Sequence, residues 1–203
     1  EFMNYQITTV MEEYDPEMDR LLFYLPLAGS AFKKTYFDDI LDRAVSRFIP
    51  ADDLIVPYNA TDLQSASRIT HVTRMDENSV RKFQAAGFYR DVDLEPYEGE
   101  DELREKERNL MGIQKTTDSD DCTLLEMHVD LDLKGFEHRS PLDNEVTGIK
   151  LPYIVTIDEG SGTVLSVRRN WAENDEYYRK LQYFTHYKFL PGLGFYGFGL
   201  LHM

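Results

Sequence analysis

Apolar residues recur at helical spacing near the start of the chain and at every second position later on. Met18, Leu21, Leu22 and Leu25 lie three and four apart, which predicts an amphipathic helix with Asp15 as its N-cap and Pro16 at its first position. Pro26 is expected to stop or kink that helix, and Gly29-Ser30 to lead into a strand over residues 31–37 that turns at Asp38-Asp39. The runs 45–50 and 54–58 are proline-marked and separated by the acidic turn Ala51-Asp52-Asp53, so both read as edge strands. Residues 61–66 fit one helical turn, and 68–74 alternate as a strand. Asp76 then caps a helix that runs to Ala86 and closes at Gly87.

Between Leu94 and Asp121 the pattern thins to Leu103, Leu110, Met111 and Ile113 among charged residues, which predicts a charged helix or linker with Asp118 to Asp121 as a solvated acidic loop. Alternation returns at 124–133, 151–157, 164–169 and 183–189. The turn-forming run Asp158-Glu159-Gly160-Ser161-Gly162 lies between the second and third. A small antiparallel sheet is the expected product, and the fold class is α+β: mixed helices and strands first, a sheet afterwards. Along the chain this divides into 1–3, a cloning remnant before Met3; 4–93, helical and stranded; 94–121, the charged linker; 122–190, the antiparallel part; and 191–203, the start of a further helical region. The aromatic, glycine-spaced run from Tyr183 to Met203 has the composition of a buried turn, so the chain is expected to be a piece of a longer protein.

Composition narrows the possible functions. With 42% hydrophobic and 13% aromatic residues in 203, the chain has enough apolar mass for a real core. Thirty-seven acidic residues against 22 basic ones give a net charge of −15, which disfavours groove-reading binding of DNA or RNA. The apolar runs fall short of the roughly 20 residues that cross a bilayer, and no charged-then-apolar leader opens the chain, so it reads as soluble, not secreted and without a membrane partner. The single Cys122 excludes an internal disulfide, and no neighbour marks it as an activated thiol.

One stretch has the letters of an enzyme site. Strand alternation puts Glu126, His128, Asp130 and Asp132 on one face, a donor set suited to a metal-dependent hydrolase or nuclease. Residues two apart on a strand are separated by about 6.5–7 Å, so one ion cannot collect four of them without a bend or a second strand. The competing reading gives Leu125, Met127, Val129, Leu131 and Leu133 to the core and the polar face to water. Gly192, Gly194 and Gly197 have the spacing of a dinucleotide fingerprint but lack the strand–helix–strand context, and read instead as glycines that let an aromatic turn pack closely. Arg168-Arg169 and Arg179-Lys180, near Trp171, Tyr177 and Tyr178, offer either sequence-blind contact with a nucleic acid backbone or a solubilised sheet edge. No catalytic, cofactor-binding or metal-binding residue is assigned on this reading, and no cofactor is expected.

Three stretches together resemble the bacteriophage portal proteins of tailed phages and prophages. They are residues 23–34 (Phe-Tyr-Leu-Pro-Leu-Ala-Gly-Ser-Ala-Phe-Lys-Lys); Ile69-Thr70-His71-Val72 through Gly87-Phe88-Tyr89-Arg90-Asp91-Val92; and 183–201 with the preceding Arg168-Arg169-Asn170-Trp171. The resemblance implies a wing of helices and strands interrupted by a stem and clip, with a tunnel-lining helix following the aromatic-glycine segment. It implies a non-enzymatic subunit of a ring, usually dodecameric, at the capsid vertex of the virion, assembled in the host cytoplasm. The implied partners are other portal subunits, the terminase motor, capsid and tail or adaptor proteins, and DNA in transient sequence-blind contact.

Overall fold

The computed structural model describes residues 2–94, 106, 121–140 and 143–202. The first elements are helix α1 (Phe2–Tyr5), which passes into a π-helical turn at Gln6–Val10, and helix α2 (Tyr14–Ala28). Strands β1 (Ser30–Asp38), β2 (Arg43–Pro50), β3 (Leu54–Ile55) and β4 (Arg68–Asp76) follow, then helix α3 (Glu77–Ala85). Strands β5 (Asp121–Leu131), β6 (Leu151–Asp158), β7 (Val164–Arg169) and β8 (Phe184–Lys188) complete the set, with 3-10 turns at Ala51–Asp53 and Leu200–His202. The fold is α+β, with a three-stranded sheet in the order β2-β1-β8 and a five-stranded sheet in the order β3-β4-β5-β6-β7. The charged helix expected over 94–121 falls almost wholly outside the described residues.

The chain forms two compact units, Glu1–Thr70 with Trp171–Met203, and His71–Asn170. Both ends of the sequence therefore belong to one unit, because β8 hydrogen-bonds to β1 in antiparallel register, with Ala31 opposite Tyr187 and Phe32 opposite His186. Here the structure departs from the expectation that the run 183–189 joins the other second-half strands. Periodicity identifies a strand but carries no information about its neighbour.

In the first unit β1 is the central strand and its first four residues are buried on both faces. One face joins Phe32 to Ile49, Leu54, Leu63, Ala66, Ile69, Phe184 and Phe195 in a single apolar cluster. On the other side Lys33, 3% exposed, points its ammonium at the Tyr14 ring of α2, 3.9 Å from the centroid. Burial lowers the Lys33 pKa, and the nearby Glu17, Glu13 and Asp15 only partly restore it. Helix α2 begins at Tyr14, two residues earlier than the start at Pro16 that the Asp15 cap predicts. Its N-cap is Glu13, whose carboxylate is engaged elsewhere, accepting from Arg43 (2.6 Å) and from the backbone N–H of Ser46 on β2 (3.1 Å). Burial works to raise the Glu13 pKa, but these donors overcome it and leave the group below its usual value. Pro26 does not end the helix, which continues to Ala28 and stops at Gly29 in the left-handed region (φ +82°), its N–H bonded to Leu25 O.

The second unit follows its sequence pattern closely where local chemistry is strong. Asp76 caps α3 by accepting from Ser79 N (3.0 Å), and Gly87 takes positive φ just beyond the helix. Val80 of α3 packs with Cys122, Leu124 and Leu165, flanked by Met75, Tyr89, Val92 and Leu94. Strand β6 is buried along nearly its whole length between β5 and β7, and β7 carries one extra residue opposite Thr156 and Ile157.

Candidate functional site

The glycine-rich C-terminal run folds back on the end of α2 and the start of β1, and the geometry there is set by the absence of side chains. Phe189 N donates to Gly29 O (3.0 Å), and Leu190 and Phe198 exchange backbone hydrogen bonds of 3.2 and 2.8 Å. A Cβ on Gly29 would collide with the backbone of Phe198 and Gly199, one on Gly199 with the Leu27 carbonyl, and one on Gly197 would sit 2.5 Å from Gly29 O. Gly194 has nothing within 4 Å of such a position. The expectation that these glycines serve packing thus holds for Gly192, where a Cβ would collide with the Tyr196 carbonyl, and for Gly197, which meets Gly29 across the clasp, and not for Gly194, where the chain has open space.

Inside this clasp Ser30, 1% exposed, joins three segments. Its Oγ accepts from Gly197 N (2.7 Å) and lies at hydrogen-bond distance from Nε2 of His186 (3.1 Å). The His186 ring packs against Phe32 (centroids 4.4 Å) and Phe195 (4.7 Å), which also stack on each other (5.9 Å), so the three rings form one cluster. Burial, with Lys188 nearby, pushes the His186 pKa down to about 4, so the ring is neutral near pH 7. Ser30 and His186 have the elements of a nucleophile and its base, yet the Ser30 oxygen is already engaged by a backbone N–H and shielded from solvent. Chemically this pair is a clamp. The sequence offers no local signal for it, since its members are 156 residues apart and meet only through the β1–β8 register.

The face that carries Glu126 and His128 differs from both sequence readings. Cys122 and Leu124, on the same side of β5, enter the core, and His128 is 3% exposed instead of meeting water. His128 Nε2 lies 2.9 Å from Glu126 Oε1, and the Arg168 guanidinium lies 3.9 Å from Glu126 Oε2. Asp130 and Asp132 are exposed, and Asp132 falls beyond the end of β5 at Leu131, where alternation no longer aligns it. The structure brings together two of the four expected ligands, and among the described residues no group of three or more His, Cys, Asp or Glu side chains is arranged to hold a metal ion.

The basic residues are split between the units. Arg168 and Arg169 lie on β7, whereas Arg179 sits over the Tyr177 ring (5.2 Å) and Lys180 Nζ donates to Ala66 O (3.0 Å). Trp171 makes an edge contact with Tyr178 (5.5 Å). Lys180 is thus engaged within its own fold. No helix among the described residues is long and apolar enough to cross a membrane. Compared with models of known protein families and with curated proteins, the chain matches none.

Proposed function

We propose that this chain is the wing and part of the clip of a tailed-phage portal protein, a structural and non-enzymatic subunit of the channel through which DNA enters and leaves the capsid. The observation that carries the reading is the sequence resemblance of three ordered stretches. It is supported by the way two of them, residues 23–34 and 183–201, pack as one clasp through Gly29, Ser30, His186 and Gly197. The proposed partners are further portal subunits in a ring, the terminase motor, and capsid and tail proteins, placed at the capsid vertex. A net charge of −15 suits a conduit, because a strongly basic wall would retain the phosphate backbone it must pass.

Electron microscopy of the assembled protein tests this directly. Rings with a central channel are expected; a population of particles without one overturns the proposal.

A further inference from the structure

Three buried oxygens on one face of the second unit have no hydrogen-bond partner among the described residues: Thr156 Oγ1, Asp158 Oδ1 and Ser166 Oγ. Their placement is not scattered. Thr156 and Ser166 are direct cross-strand partners on β6 and β7, and Asp158 is two residues along β6 from Thr156, so all three side chains leave the sheet on the same side. Thr156 is 1% exposed and Asp158 is fully buried. Buried polar atoms without partners are costly, so three in one neighbourhood call for a common ligand.

We propose that this row is an internal hydration site, in which an ordered water molecule bridges Thr156 Oγ1 and Asp158 Oδ1 with Ser166 Oγ as its third partner. Same-face side chains on a strand start about 6.5–7 Å apart, and a water with two hydrogen bonds of about 2.8 Å spans about 5.5 Å between oxygens, a reach of the same scale. The donor count also fits. The water donates to the carboxylate oxygen and to one hydroxyl, and accepts from the other.

A divalent cation suits the site poorly. The second Asp158 oxygen already accepts from Ser161 N (2.8 Å) and Ser161 Oγ (2.6 Å). The Glu126 carboxylate, opposite Thr156 on β5, faces His128 and Arg168. What remains is one carboxylate oxygen and two neutral hydroxyls, which is water chemistry more than metal chemistry. This inference does not depend on the portal reading.

A high-resolution crystal structure of the whole chain, with a parallel crystal soaked in MnCl2, is the test. The expected result is one ordered peak at hydrogen-bond distance from at least two of the three oxygens, without Mn anomalous signal, lost in Thr156→Val and retained in Ser166→Ala. An anomalous peak at the site overturns the proposal, as does a map in which the three oxygens bond directly to one another or to another part of the chain. The wild-type map decides even where Thr156→Val does not fold.

Discussion

The carboxylate of Glu17, on the first turn of α2, accepts a hydrogen bond of 2.6 Å from the backbone N–H of Phe48 on β2. Together with Glu13 and Ser46 it forms a two-rung ladder between a helix and the open edge of a sheet. The spacing is what makes this possible. Four helical residues rise about 6 Å and two strand residues about 6.6 Å, so side chains at i and i+4 on the helix meet alternate N–H groups of the strand. An edge that would otherwise offer free donors to another chain is closed by charge-assisted bonds.

Replacing Glu17 with Ala therefore leaves the Phe48 N–H without its partner, and a loss of about 1–3 kcal/mol is expected. Urea denaturation of the variant against the parent chain measures it. An unchanged midpoint would show that the contact is dispensable.

The glycine clasp gives a paired test. Gly197→Ala forces a methyl against Gly29 O and is expected to cost about 3 kcal/mol or more, whereas Gly194→Ala, at a position with open space, should be tolerated within about 0.5 kcal/mol. Thermal melts of the two variants side by side separate close packing from a general intolerance of the loop to change. Equal effects would contradict the assignment.

His186 sets an acid sensitivity. Its folded pKa of about 4 lies below the unfolded 6.5, so between these values the unfolded chain binds more protons and stability falls as pH drops through that window. The physical cause is burial, which penalises the charged imidazolium where the ring packs against Phe32 and Phe195, with Lys188 adding like-charge repulsion. After allowance for partial exposure the loss is about 1–2 kcal/mol. Urea midpoints measured from pH 7 to pH 4 should show this slope, and His186→Phe should flatten it relative to the parent.

Isothermal calorimetry with Zn²⁺ and Mn²⁺ checks the metal-enzyme alternative. Glu126 and His128 engage one another while Asp130 and Asp132 are exposed apart from them, so no saturable binding at micromolar concentration is expected. Stoichiometric binding abolished by His128→Ala would restore the hydrolase reading.

Local chemistry made much of the fold legible in the sequence. The Asp76 cap, the closing Gly87, the strands at 68–74, 151–157 and 164–169, and the hairpin turn at Asp158 each follow from the residues that form them. Where local signals and tertiary demands compete, the sequence misleads. Asp15 has the credentials of an N-cap, but α2 starts at Tyr14 after Glu13 and is held by the β2 edge. The polar letters of β5 suggest a wet face, but Cys122 and Leu124 draw that face into the core and take His128 with them.

By itself the sequence determined the α+β class, the positions of most elements and the role of glycine as a packing device in the terminal run, because each depends on periodicity or on one residue's own stereochemistry. Only the tertiary structure decided that β8 pairs with β1, that Gly197 meets Gly29, and that Ser30 clamps His186. Those are contacts between segments about 150 residues or more apart, and a one-dimensional pattern fixes which face of a strand is apolar without naming the strand that will lie beside it.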